Sequence, residues 1–189
     1  KFAPDGEVPL VYEHEPSGSW SIVLFGAGHI SQALVRLLAG LECEVTVFDT
    51  RLEMLARLAQ APHIHPRKVN VLTEAVRDLP EGAFVALMTQ GHRTDKPVLE
   101  EILKTRTFPY LGVIGSASKA AVLRRELREA GLTENLKAAF RCPIGLPIGN
   151  DTPEEIAISI AAEMLQVRDR AHALPCAKEL AIPNGRAIA

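Results

Sequence analysis

Residues Ser21 to Ser31 read SIVLFGAGHIS, an apolar run that breaks into Gly26-Ala27-Gly28-His29 where a helical pattern begins. Residues of these types at this spacing suit anion binding. A strand that reverses into a helix within a few residues needs a tight turn, which Gly26 supplies. Gly28 leaves no side chain between the helix N-terminus and an approaching pyrophosphate, whose charge meets N–H groups and the positive end of the helix dipole. Ser31 stands where the strict fingerprint has its third glycine and is small enough for close helix packing. The next apolar run, Val45-Thr46-Val47-Phe48, closes on Asp49, about 20 residues beyond the turn, where a ribose-binding carboxylate belongs. Gly26, Ala27, Gly28, His29, Ile30 and Asp49 are therefore the expected ligand-binding set. His29 is either a contact to a ligand phosphate or an exposed first-turn residue. Asp49 suits a ribose hydroxyl, a use compatible with capping the following helix. Arg51 beside it tolerates a 2′-phosphate, so NAD and NADP both stay open, with the carboxylate favouring NAD.

Three further places carry candidate chemistry. The loop Thr89 to Asp95 follows a predicted central strand, the end at which open α/β sheets hold ligands, and is either a ligand contact, with Thr89 among the expected cofactor contacts, or a loop-to-helix cap. Gly115-Ser116 also leads from a strand into a helix, either as a second anion site or as an ordinary cap by Ser116. Cys142, before Pro143, is either a thiolate able to contact a metal or accept sulfur, or a buried inert thiol. His92, Asp95 and Cys142 are the candidates for catalysis, each weak because nothing in the spacing gathers them. His63 and His65 lie on one strand face without a third ligand nearby, so no metal is expected.

These residues must be positioned by a regular scaffold, and the periodicity supplies one. Short apolar runs alternate with helical patterns, which selects an α/β fold, a Rossmann-like doubly wound parallel sheet with helices on both faces. Strands are expected over 21–25, 44–48, 62–65, 83–88 and 110–114, with a sixth around 137–141. Helices are expected over Gln32 to Leu38, Leu52 to Leu58, Lys96 to Lys104 with Pro97 in its first turn, and Ser116 to Ala130. A last helix starts at Thr152, where Thr152-Pro153-Glu154-Glu155 is a capping box with proline at the first helical position.

The chain of 189 residues, net charge −2, is expected to divide into a linker or remnant of a preceding N-terminal domain over 1–18, a Rossmann-like nucleotide-binding domain over 19–169, and a tail over 170–189. Val8 to Tyr12 is the one candidate strand ahead of the domain. The weak charge and the lack of a basic run argue against nucleic acid, and no apolar stretch is long enough to span a membrane. Three cysteines without metal spacing suggest reduced thiols and a cytoplasmic setting.

Taken in order, Gly26-Ala27-Gly28-His29-Ile30, then Gly112-Val113-Ile114-Gly115-Ser116 with Lys119, then Gly145-Leu146-Pro147-Ile148-Gly149 with Thr152-Pro153-Glu154-Glu155-Ile156-Ala157 and Ser159-Ile160-Ala161-Ala162-Glu163, resemble the C-terminal Rossmann domain of the xanthine dehydrogenase accessory family, the XdhC/CoxI-like proteins. The resemblance spans roughly 20–167. It implies an accessory protein that binds molybdenum cofactor (molybdopterin) or a nucleotide. Such a protein assists sulfuration, with a cysteine desulfurase as a further partner, and delivers the cofactor to a xanthine dehydrogenase-type molybdenum hydroxylase. It also implies a non-catalytic insertion chaperone; separately, the exposed helices and proline-rich entry segment of a lone Rossmann unit offer interface surface, so a homodimer is expected. Relatives often carry Thr-His-Asp after the fourth strand, whereas this chain has Thr89-Gln90-Gly91-His92 with Asp95 further on. Two other functions fit the same turn: an NAD(P)-dependent oxidoreductase with His92 as proton donor, and a non-catalytic nucleotide-sensing or dimerisation module.

Overall fold

The structure, a computed structural model, describes residues 20–132, 139–149 and 152–171. The segment Val8 to Tyr12, Cys176, the tail beyond residue 171 and the start of the expected sixth strand lie outside the described residues. Five strands, β1 (Trp20–Phe25), β2 (Cys43–Asp49), β3 (Ile64–Lys68), β4 (Phe84–Leu87) and β5 (Tyr110–Val113), form one sheet. The order is β3-β2-β1-β4-β5 and every pairing is parallel. Beyond β5, Arg141 bridges to Gly112 in parallel sense, donating its N–H to the Leu111 carbonyl and accepting from the Val113 N–H, both at 2.8 Å. Of the sixth strand expected around 137–141, the described residues show only this isolated bridge, Ala139 being helical and Phe140 outside regular structure.

β1, β4 and β5 read as near-continuous apolar runs because both sheet faces are covered there, whereas β2 alternates and edge strand β3 is largely exposed. Alternate residues of β1 divide between two cores: Ile22 and Leu24 pack beneath α1 (His29–Leu38) and α5 (Pro153–Ala171). Val23 and Phe25 pack beneath α3 (His92–Thr105), α4 (Ala117–Glu129) and a 3-10 helix over Leu72–Asp78. Aromatic contacts run across the strands on the first face, with Trp20 edge-on to Phe84 at 5.5 Å and Phe84 stacked on Tyr110 at 5.6 Å.

The types of the five strands and five helices described agree with the sequence reading, the sixth strand does not, and the boundaries differ for physical reasons. The first helix opens at His29 rather than Gln32, because the glycine turn itself forms its first turn: Gly28 is the N-cap and Gln32 already donates its N–H to the Gly28 carbonyl at 2.9 Å. Helix α2 (Leu52–Leu55) stops short of Leu58, its last turn tightening into contacts such as Leu58 N–H to the Leu55 carbonyl at 3.1 Å. β3 runs to Lys68 through Pro66, which an edge strand tolerates and a central strand would not. Helix α3 begins at His92, a turn before Lys96, so Pro97 lies inside it and removes one backbone hydrogen bond. The 3-10 helix has no counterpart in the sequence reading. The capping box holds: Thr152 Oγ1 accepts from the Glu155 N–H at 3.2 Å, and Glu155 Oε2 from the Thr152 N–H at 3.3 Å.

The turn over Gly145–Gly149 is anchored by one carboxylate. Glu163 on α5 accepts from the Tyr110 hydroxyl at 2.7 Å and the Gly145 N–H at 2.9 Å, while Arg141 lies 3.6 Å from its other oxygen. Burial, followed by the negative charge of Glu163, pushes the Tyr110 hydroxyl far up, so it stays a neutral donor. Gly145 has φ of 99° and a Cβ there would overlap the Ser159 hydroxyl, so glycine is required. Replacing Glu163 by Ala strands the buried Tyr110 hydroxyl and should cost about 2–3 kcal/mol in urea unfolding. A loss near zero would show that the anchor is dispensable.

Candidate functional site

Ligands of open α/β sheets bind outside the carboxyl ends of the strands, at the point where the strand order reverses. Here the reversal falls between β1 and β4, whose neighbours step outward in opposite directions. A cavity of about 260 Å³ opens at this edge. Its walls come from the turn after β1 (Gly26), the end of β2 (Asp49, Thr50, Arg51), the segment after β3 (Asn70 to Thr73) and the β4–α3 junction (Thr89, Gln90 and Arg93 to Val98 in part). Apolar Val71, Leu72, Pro97 and Val98 share the lining with two arginines, Arg51 and Arg93. A hollow of about 520 Å³ lies elsewhere, between the 3-10 helix and the far half of α3, and no strand end reaches it.

Gly26 makes the first turn possible. Its φ is 102°, its N–H donates to the Phe48 carbonyl at 2.7 Å, and a Cβ would overlap the Met88 carbonyl. Gly28 differs: nothing lies within 4 Å of a Cβ placed there, and α1 has no side-chain cap, so this helix N-terminus opens to solvent. His29 is exposed beside it, and Ile30 packs partly against the core.

Asp49 is buried and fully engaged. Its Oδ2 accepts from the Ala27 N–H at 2.7 Å and from Arg51 Nη2 at 2.8 Å, and its Oδ1 from the Arg51 N–H and Arg51 Nε, each at 2.9 Å. Burial by itself would raise this carboxyl; the hydrogen bonds from Arg51 and Ala27 together outweigh it and hold the group below its ordinary value. Asp49 does not cap the next helix. The N-cap of α2 is Arg51, without a side-chain cap bond, because the carboxylate is turned back onto the glycine turn.

The Thr89–Asp95 loop is knitted from below. Asp95, wholly buried, accepts from the Thr89 N–H at 3.2 Å and the Thr89 hydroxyl at 2.6 Å, and forms an ion pair with Lys119. Lys119 also donates to the Ile114 carbonyl at 2.7 Å, so one pair joins the β4–α3 and β5–α4 junctions. His92 turns the other way, its Nε2 lying 2.9 Å from Glu126 of α4. The structure therefore does not unite His92 and Asp95, nor does either line the cavity. Gly115 and Ser116 are exposed at the start of α4, with Ser116 Oγ accepting from the Lys119 N–H at 3.2 Å as a cap. Cys142 is buried. Burial pushes its thiol up, and the nearby Lys119 and Arg124 only partly offset this, which disfavours a thiolate. His65 pairs with Glu44 at 2.8 Å.

Of the expected ligand set, Gly26, Asp49 and Thr89 meet at the cavity, and Ala27, Gly28, His29 and Ile30 adjoin it through the turn. Sequence reasoning missed Arg93 and the Asn70 to Thr73 wall. The wall has no periodic signal; Arg93 falls in a stretch that reads as loop, and recognising Gly91 as a helix N-cap would have placed it on the first turn of α3.

A parallel sheet in this order with a glycine turn at the switch point defines a Rossmann-type α/β domain. The chain belongs to the XdhC Rossmann domain family, whose model matches residues 22–164. It is 33% identical over 153 residues to the uncharacterized protein YqeB of Escherichia coli, covering 79% of this chain and 28% of that protein. It is 29% identical over 154 residues to a probable xanthine dehydrogenase subunit of Bacillus subtilis, covering 79% of this chain and 43% of that protein. A crystal structure of a xanthine dehydrogenase from Bacillus halodurans superposes with a TM-score of 0.68 at 26% identity, over 83% of this chain and 45% of that one. The chain thus spans less than half the length of each of these relatives.

Proposed function

We propose that this chain is an accessory protein for a xanthine dehydrogenase-type molybdenum hydroxylase, and that its switch-point crevice holds molybdenum cofactor or a nucleotide as cargo or regulator. The observation that carries the reading is the cavity at the glycine turn, where Arg51 and Arg93 stand among apolar Val71, Leu72, Pro97 and Val98. Cationic groups beside an apolar wall suit a planar heterocycle bearing a phosphate, the shared chemistry of a pterin phosphate and a nucleotide. A volume of about 260 Å³ suits one such unit, with any further phosphate lying along Gly28 at the uncapped start of α1. When bound, molybdenum cofactor supplies the redox chemistry of the enzyme that receives it; the residues of this chain hold and orient it. The names of the Bacillus relatives support the partner class. A cytoplasmic site of action, a desulfurase partner and a homodimer belong to the same proposal.

Delivery rather than turnover fits the lining. Its titratable residues among those described are Asp49, Arg51 and Arg93, of which Asp49 is spent on the turn. His92, the proton donor that an oxidoreductase would need, is paired with Glu126 outside the cavity. The test is reconstitution of an apo molybdenum hydroxylase with molybdopterin, molybdate and a sulfur donor. Substrate hydroxylation should recover faster and further with this chain present. Recovery identical without it would remove the accessory role.

A further inference from the structure

Ribose recognition at the end of the second strand normally depends on a carboxylate that accepts hydrogen bonds from the ribose hydroxyls. A carboxylate offers about four acceptor positions. In Asp49 all four are filled, two by Arg51 side-chain nitrogens and two by the N–H groups of Ala27 and Arg51. The side chain is 4% exposed. A ribose diol can bind there only by breaking a buried, charge-assisted pair, and its neutral hydroxyls are weaker donors than the guanidinium they would displace.

Arg51 stands in the opposite condition. Its guanidinium has five N–H donors, of which the Asp49 pair uses Nε and one on Nη2. The side chain is 28% exposed and lines the cavity, which Arg93 also lines from the first turn of α3. Between these arginines and the apolar Val71, itself half exposed at 49%, there is provision for a flat ring and for an anion next to it.

Resting on the reading of this crevice as a ligand site, we infer that it selects a phosphomonoester attached close to a planar heterocycle, and that Arg51 and Arg93, not the Asp49 carboxylate, read it. Asp49 acts as a positioning residue, fixing the guanidinium plane of Arg51 and tying it to the glycine turn. Two sources carry this chemistry: a 2′-phosphorylated dinucleotide of the NADP type and a pterin phosphate. The preference for NAD that Asp49 suggested in the sequence is thereby reversed.

The experiment is calorimetric titration of the chain, and of its Arg51→Ala and Arg93→Ala variants, with NADP, NAD and molybdopterin. Arg93→Ala leaves the Asp49 pair intact and so controls for damage to the turn; thermal melting of each variant is recorded alongside. Binding of NADP at least tenfold tighter than NAD, with the ratio falling to about one in both variants, supports the inference with the dinucleotide as source. Binding of molybdopterin alone, weakened tenfold or more in both variants, supports it with the pterin as source. NAD binding as tightly as NADP, or molybdopterin binding untouched by either substitution, overturns the inference while leaving the crevice a ligand site. Absence of binding by all three overturns both.

Discussion

Gly26→Ala is expected to cost about 4 kcal/mol or more, a large part of the stability of a domain of this size. Two costs combine. The φ of 102° is one that L side chains rarely adopt, and the added methyl would overlap the Met88 carbonyl and approach the Thr89 Cα to 2.9 Å, both of them backbone atoms that no rotamer change can move aside. The same segment hydrogen-bonds to the end of β1, with the Met88 N–H donating to the Phe25 carbonyl at 2.7 Å, so separating the two segments breaks the sheet at its switch point. Urea unfolding of parent and variant measures the loss. A cost under about 1 kcal/mol would show that the turn relaxes freely. Gly28→Val is the companion: with φ of −68° and nothing within 4 Å of the added Cβ, it should cost only about 1 kcal/mol, the difference between glycine and a branched apolar residue at an N-cap.

Asp95→Ala is expected to destabilise the fold by about 3–5 kcal/mol, since it leaves the Lys119 ammonium without its anion in a mostly buried position. The Lys119 side chain is 17% exposed and that of Asp95 0%, so water does little to compensate either charge. The variant also deprives the Thr89 N–H and hydroxyl of their acceptor. Removing both charges, in Asp95→Ala with Lys119→Met, should recover part of the loss, because an apolar pair avoids the desolvation that the lone cation suffers. Chemical denaturation of the two single variants and the double variant forms the cycle. Purely additive losses would mean that the pair contributes nothing as a pair.

These two positions also show what the sequence discloses and what it hides. Gly26 was legible because a strand-to-helix reversal imposes a local backbone demand that only one residue type meets cheaply, and that demand is written within a few residues. The strands were legible for a related reason: a sheet covered on both faces needs uninterrupted apolar runs, and β1, β4 and β5 supply them. The Asp95–Lys119 pair was not legible. Its partners are 24 residues apart and meet only because β4 and β5 are neighbours, a fact of topology rather than pattern. Arg51 was visible as a neighbour of Asp49, but its occupation of the carboxylate depends on side-chain geometry that spacing does not fix. Glu163 read as one acidic residue in an amphipathic helix, and its hold on Tyr110 and Gly145 spans three elements.

The central claim, that the crevice beside the glycine turn holds a phosphate-bearing ligand, is tested most directly by calorimetric titration of molybdopterin and NADP into the parent chain and into Gly28→Val. The substitution leaves the cavity lining and the sheet untouched and places a branched side chain at the uncapped start of α1, where phosphate approaches. The parent should bind at least one of the two ligands; the variant, folded as before, should bind NADP, whose pyrophosphate lies along the start of α1, roughly 100-fold more weakly, about 2.7 kcal/mol, and should keep molybdopterin, whose single phosphate is read by Arg51 and Arg93. Equal affinity for NADP in parent and variant, or no binding of either ligand by the parent, would contradict the account.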